Sequence, residues 1–234
     1  MLLKCNQTSI FHNKYWPETS VTFLGYDKFP TFELPQNFKF VSLGKQEDFG
    51  ITWADALLPF FKNIKDKYFV LFPGDFMPAK VVDQTKFDLI YQRLKECGGV
   101  KAALDHTTVK KKYLYSYQNH CYIQRKLNLV LYPFIIQREY FIKYCVAGRT
   151  AREFESLGNI EADRNQDGIM LIPDGFIVDF VHMIDDGQLR WQYFVAKIKN
   201  DEDWSLLEQY LPAKDMEIIN SHGGRNADIK MNIS

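Results

Sequence analysis

Lys67-Tyr-Phe-Val-Leu-Phe-Pro-Gly-Asp-Phe-Met-Pro-Ala-Lys-Val-Val-Asp83 holds the clearest structural signal in the chain. Tyr68 to Phe72 is an unbroken apolar run, too short for a helix, β-branched and aromatic, and ended by Pro73-Gly74. Such a run reads as a strand covered on both faces, the pattern of a parallel sheet flanked by helices. Asp75 then lies just past the carboxyl end of a central strand, where open α/β sheets bind their ligands. Gly74 permits a tight turn or a close approach to a ligand. Asp83 can cap a helix over Gln84 to Cys97, whose Phe87, Ile90, Tyr91 and Leu94 form one apolar stripe. A carboxylate at position 75 could hold a hydrated divalent cation and, through it, a phosphate. A plain turn former is the other reading of Pro-Gly-Asp.

Working outward, 234 residues suit one large α/β domain or two small ones, and one is simpler. A hydrophobic share of 46% with 25% charged residues is ordinary for a globular chain. A formal net charge of zero and the lack of a long basic run argue against an electrostatic grip on nucleic acid. No apolar segment approaches the ~20 residues of a membrane span. The apolar start Met1-Leu-Leu is too short for a signal peptide. Four scattered cysteines (Cys5, Cys97, Cys121, Cys145) read as reduced thiols in a cytoplasmic protein. Without a secretory signal, the acceptor patterns at Asn6 and Asn232 carry no weight.

Along the chain, a helix through Ile10 to Trp16 is stopped by Pro17. Ser20 to Gly25 and Phe38 to Leu43 read as strands. Thr52 starts a helix, with Asp55 at capping-box spacing. Gly98-Gly99 ends the Gln84–Cys97 helix, and Val100 to Leu104 is a short strand. Tyr113 to Tyr117, Cys121 to Leu127 and Leu129 to Ile136 are expected to be strands. Helices follow over Gln137 to Val146 and Ala151 to Leu157. Ile169 to Ile172, Phe176 to Ile184 and Leu189 to Val195 return to strands, with Asp185-Asp186-Gly187 as a hairpin turn. Asp203 to Leu211 is a last helix. The expected layout is one domain over 1–211, with a donor half at about 16–106 and an acceptor half at about 107–211. The tail over 212–234 loses periodicity and is expected to be disordered.

Trp53-Ala-Asp-Ala-Leu-Leu58, Tyr68-Phe-Val-Leu-Phe72, Asp75-Phe76 and Val82-Asp83 before a helix together resemble the nucleotide-sugar half of GT-A-type glycosyltransferases, the small bacterial and viral members above all. Leu129 to Ile142 is similar to the strand and helix of their second half, and Arg152-Glu-Phe-Glu155 to their Trp-Glu-Phe-Glu. The similarity runs from about Trp16 to Tyr193. The chain departs from the pattern in three places. Gly74 stands where paired acids are usual, Arg152 stands where tryptophan is usual, and no nucleotide-binding first strand is evident before Trp16: either residues 1–10 are a degenerate form of it or the chain begins late.

The resemblance implies an α/β GT-A-like fold: a mixed sheet flanked by helices with an antiparallel acceptor side. It implies transfer of a sugar from a UDP- or GDP-sugar to a glycan acceptor, as in surface polysaccharide synthesis, with manganese or magnesium as cofactor. It places Asp75, Gly74, Trp53, Asp55, Arg138 and Arg152 at the donor, and Asp75 with His182 at the metal. Sugar transfer needs charge neutralisation on the leaving diphosphate, by metal or by guanidinium groups such as Arg138 and Arg152. It also needs a base for the acceptor hydroxyl if the reaction inverts, for which Glu155 is favoured over Glu153. Each has a plainer reading: a solvated acid at a helix start, a hydrogen-bonded strand histidine, a surface arginine. A non-catalytic GT-A-like protein that binds a glycan or a partner through an eroded donor site is the alternative. Asp163, Asn165, Asp167, Gly168 and Asp174 also match most of an EF-hand calcium loop, but strand-like flanks favour a polar surface turn.

Overall fold

A computed structural model describes residues 2–27, 29–104, 115–117, 121–124, 129–166, 168–182, 184–185, 188–189, 192, 196–198, 200–211 and 213–224. Its helices are α1 (Leu2–Tyr15), α2 (Gln46–Phe49), α3 (Trp53–Asn63), α4 (Gln84–Glu96), α5 (Arg138–Tyr144), α6 (Ala151–Asn165), α7 (Asp201–Tyr210) and α8 (Ala213–Ser221). Its strands are β1 (Val21–Gly25), β2 (Phe38–Ser42), β3 (Tyr68–Leu71), β4 (Phe76–Pro78), β5 (Lys101–Ala103) and β6 (Tyr115–Tyr117). They continue with β7 (Cys121–Gln124), β8 (Phe134–Gln137), β9 (Met170–Pro173), β10 (Phe180–His182), β11 (Ile184–Asp185) and β12 (Gln188–Leu189).

The chain is mixed α/β, as expected, but its strands do not form one sheet. The largest sheet has six strands in the order β3-β8-β5-β9-β7-β6. Only β5 and β9 run parallel in it; β3 pairs antiparallel with β8, with Tyr68 opposite Gln137 and Leu71 opposite Phe134. The expectation of a central parallel strand at 68–72 is therefore corrected. Its side chains are covered on both faces, but the strand is the sheet's edge and its described neighbour is antiparallel. A continuous apolar run records cover on two faces and not the direction of the next strand. β1 and β2 pair parallel with each other in a separate two-stranded sheet, joined by a crossover over residues 26–37. β4 and β10 form an antiparallel pair, with His182 opposite Phe76.

Side-chain alternation divides the core around the large sheet. Phe69, Ala103, Phe134, Ile136 and Met170 meet α3, α5 and α6, where Phe61, Phe141 and Phe154 are nearly sealed from solvent. Tyr68, Ala102, Ile135 and Leu171 point the other way, to Ile90 and Leu94 of α4 and to Trp16. A third cluster joins Phe11 and Tyr15 of α1, Trp204 and Leu207 of α7, and Met216 and Ile219 of α8 to Met77 and Val181. His12 of α1 is buried between the Trp16, Phe38 and Phe72 rings. Burial pulls its imidazole down to about 4, so it is neutral at physiological pH.

Several local expectations hold. Asp83 caps α4 by accepting from the Lys86 amide at 2.9 Å. Gly98 takes φ +64° and its amide reaches the Lys95 carbonyl. Asp185 pairs antiparallel with Gln188, while the expected turn residues 186 and 187 lie outside the described residues. Others do not hold. The first helix extends over Leu2–Tyr15, so residues 2–10 are not a degenerate strand. The helix expected over Ala151–Leu157 runs on to Asn165, and the strand expected over Phe176–Ile184 is regular at Phe180–His182 and Ile184–Asp185. The segment from Ala213 to Ser221 is helical, with Met216 and Ile219 buried against α7; residues 225–234 lie outside the described residues. Its short apolar spacing becomes amphipathic only once α7 provides a surface to cover. Among the described residues, no helix is long and apolar enough to cross a membrane.

Candidate functional site

β3 delivers the chain to the turn Pro73-Gly-Asp-Phe76, closed by the Phe76 amide on the Pro73 carbonyl at 3.0 Å. Asp75 is the third residue of that turn, so the turn-forming reading is correct as far as backbone goes. Its side chain has a second role. The carboxylate lies 3.0 Å from Nε2 of His182, which arrives from β10 across the β4–β10 pair. His182 stacks flat on Phe76, with ring centroids 4.4 Å apart and planes within 1°. Phe180 and Tyr132 complete an aromatic wall against Phe76, at 5.1 and 5.0 Å. The carboxylate of Asp75 is well exposed and His182 partly so. The structure thus brings together the two residues expected from sequence to share a metal.

The pair suits a divalent cation only in part. Two ligand atoms 3.0 Å apart match adjacent corners of an octahedron with bonds of roughly 2.1 Å. An imidazole beside a carboxylate favours manganese over magnesium. No group of three or more histidine, cysteine, aspartate or glutamate side chains able to hold a metal forms among the described residues. A cation held here would take its remaining ligands from water or from phosphate oxygens, and would supply charge neutralisation to a leaving diphosphate.

Gly74 has an ordinary φ, and an added Cβ would meet nothing within 4 Å. The protein therefore does not require glycine there for space; the position is open. α1 lies along this loop, with the Thr8 hydroxyl 3.4 Å from the carbonyls of both Gly74 and Phe76.

The remaining candidates go elsewhere. Arg138, expected at the donor diphosphate, lies away from Asp75. It follows Gln137, which pairs with Tyr68, so it stands at the opposite end of β3, about 15–20 Å of strand away. Its guanidinium donates to the Ile64 carbonyl and to Glu139. Trp53 packs on Phe141 and Phe154 in the core. Asp55 accepts from the Gly148 amide at 3.0 Å, tying α3 to the α5–α6 turn, and Thr52 makes no side-chain cap bond. Arg152 is exposed on the first turn of α6.

Glu153 closes a capping box with Thr150. Its carboxylate accepts from the Thr150 amide and hydroxyl, both at 2.9 Å, and Thr150 accepts from the Glu153 amide at 3.2 Å. The backbone bond to Thr150 holds its carboxyl below the usual range. Removing the cap through Thr150→Ala should cost about 1 kcal/mol of unfolding stability in urea titration. Glu153→Gln keeps the reciprocal bond and should leave ligand binding at the Asp75 site unchanged. Glu155 points into the fold instead, and its Oε1 accepts the Leu131 amide at 2.5 Å.

The calcium template fails on geometry. Asp163 and Asn165 are inside α6, and Asn165 donates to the Tyr144 hydroxyl at 3.1 Å, so the first positions of the supposed loop are helical and cannot wrap a cation. Asp167 lies outside the described residues. Sequence reading missed Tyr132 and Thr150. Thr150-x-x-Glu153 was legible as a capping box, whereas nothing local marks Tyr132.

No family model matches the chain, and no curated protein matches it. Among solved structures it is similar to the bifunctional IspDF from Campylobacter jejuni, at 13% identity and a TM-score of 0.42, over 83% of this chain and 46% of that one. It is also similar to an apo UDP-glucose pyrophosphorylase, at 11% identity and a TM-score of 0.37, over 62% of this chain and 58% of that one. The chain spans less than two thirds of the length of either. Likenesses this slight carry no argument about activity.

Proposed function

We propose that the chain is a GT-A-like glycosyltransferase that moves a sugar from a UDP- or GDP-sugar to a glycan acceptor, using the Asp75 loop as its donor-diphosphate site. One observation carries the reading: Asp75 and His182, 107 residues apart in sequence, converge to 3.0 Å beyond the carboxyl end of β3. That is where the resemblance to nucleotide-sugar enzymes asks for a metal-binding pair. The partly exposed carboxylate can reach a cation, and the open position at Gly74 leaves room for phosphate beside it. Beside the pair, the half-buried Tyr132 ring, backed by the buried Phe76 and Phe180, offers an apolar surface of the kind ligand sites use.

A thermal-shift panel of UDP, GDP and their sugars, with and without manganese or magnesium, tests this. Ligand at ~100 times its dissociation constant stabilises by about 2.7 kcal/mol, a shift of a few degrees. The expected result is a metal-dependent shift that Asp75→Asn abolishes and His182→Ala weakens. A shift that survives Asp75→Asn would move the site elsewhere. No shift with any nucleotide on folded protein would favour the non-catalytic reading, which gains support from Gly74 in place of an acid and from a helix at Leu2–Tyr15 where the resemblance calls for a nucleotide-binding strand.

A further inference from the structure

Tyr132 stands beside the Asp75–His182 pair, its ring 6.3 Å from His182, 5.0 Å from Phe76 and 6.1 Å from Phe180. It belongs to the irregular segment just before β8, which rounds the end of the large sheet. Leu129 and Leu131 turn to the α6 face of that sheet, and Tyr132 to the opposite face. An irregular segment holds a side chain in place only if its own backbone is held. Here α6 holds it. The Leu129 amide donates to Asn159 Oδ1 at 2.5 Å and the Leu131 amide to Glu155 Oε1 at 2.5 Å. Glu155 and Asn159 are one helical turn apart and so lie in line on α6. Between them Gly158 lets the segment close onto the helix, since a Cβ there would sit 3.1 Å from Leu129 Cδ1. The Tyr132 amide then turns back to the Val130 carbonyl at 2.9 Å.

We infer that Glu155 is a positioning residue: with Asn159 it clasps the 129–131 backbone and so sets the Tyr132 ring as the wall on which the hexose ring of a nucleotide sugar packs beside Asp75 and His182. The inference rests on the nucleotide-sugar reading above and deepens it. A hexopyranose presents a face of C–H bonds that suits a half-buried aromatic ring. The carboxylate of Glu155 is committed to a backbone amide behind this wall, so proton abstraction is not its task.

Two measurements on the full chain test this. The first is amide hydrogen exchange over residues 129–132. Glutamine still offers a carbonyl oxygen, so Glu155→Gln should exchange like wild type, whereas Glu155→Ala should exchange about tenfold faster or more. The second is titration with UDP-glucose and GDP-mannose, each against its free diphosphate, with manganese present. Tyr132→Ala and Glu155→Ala should weaken the nucleotide sugar by about five- to tenfold and leave the free diphosphate unchanged. Tyr132→Phe and Glu155→Gln should bind as wild type does, and Glu155→Gln should keep kcat. Unchanged exchange in Glu155→Ala, or nucleotide-sugar affinity unmoved in Tyr132→Ala, overturns the inference while the donor-site reading stands. Loss of turnover in Glu155→Gln with binding intact also overturns it and makes Glu155 the base. If wild type binds no nucleotide or nucleotide sugar, the donor-site reading falls and the sugar wall with it, whatever the exchange shows.

Discussion

Asp203→Ala should destabilise the protein by about 3–5 kcal/mol, read as a fall in the urea midpoint at unchanged slope. Asp203 is 1% exposed, at the third position of α7. Its carboxylate accepts from the Tyr15 hydroxyl, from Lys14 Nζ at 2.7 Å and from Asn200 Nδ2 at 2.5 Å. Its amide donates to Asn200 Oδ1 at 2.8 Å, which caps the helix. Burial, and then Asp203 itself, push the Tyr15 hydroxyl well above its ordinary range. Removing the carboxylate strands a buried phenol and takes from Lys14 its buried partner; Glu202, 3.0 Å away, is exposed and replaces little. Tyr15→Phe should cost only about 1 kcal/mol, since the carboxylate keeps Lys14 and Asn200. A small loss in Asp203→Ala would mean that apolar packing alone docks α1. The consequence reaches the candidate site, because α1 also carries Thr8 against the Asp75 loop.

Lys101→Met should have the opposite sign and raise stability by about 1–4 kcal/mol at neutral pH. Lys101 is 2% exposed in the middle of the large sheet, its ammonium 4.0 Å over the Phe134 ring. Burial pulls it down to about 7, against the opposing charge of Glu155. Between about pH 7 and 10.5 the unfolded chain holds this proton and the folded one sheds it, so wild-type stability should rise with pH across that window. Below about 7 both states are protonated and the desolvation cost is complete. Lys101→Met removes the rise, so urea midpoints at pH 6.5 and 9.5 should draw together. A variant that is no more stable at pH 6.5 would mean that the interaction with Glu155 repays the burial. Because Glu155 also holds the segment bearing Tyr132, weaker nucleotide-sugar binding in a stabilised Lys101→Met would mark the lysine as retained for the site.

The local features of the fold were legible without coordinates because each depends on a few consecutive residues. The covered faces of β3, the Asp83 cap, the stripe of α4, the Gly98 stop and the pairing of β11 with β12 are all set by pattern or by one side chain near its own backbone. The tail and the length of α6 were misread because their apolar positions are sparse and gain meaning only against α7 and the 129–131 segment. Strand neighbours were misread for a related reason: an apolar run carries no direction.

By itself the sequence determined that the chain would build a helix-covered α/β core and put Asp75 in a turn after β3, since burial and turn chemistry act locally. Only the tertiary structure decided what Asp75 would meet. The pairing of β4 with β10 brings His182 to it, and the reversal from β3 to β8 carries Arg138 to the far end of the strand. It also turned Glu153 onto its own helix start and Glu155 onto the Leu131 amide. Adjacent-but-one acids on a helix point in different directions, and which one reaches a partner depends on what the rest of the chain packs beside that helix.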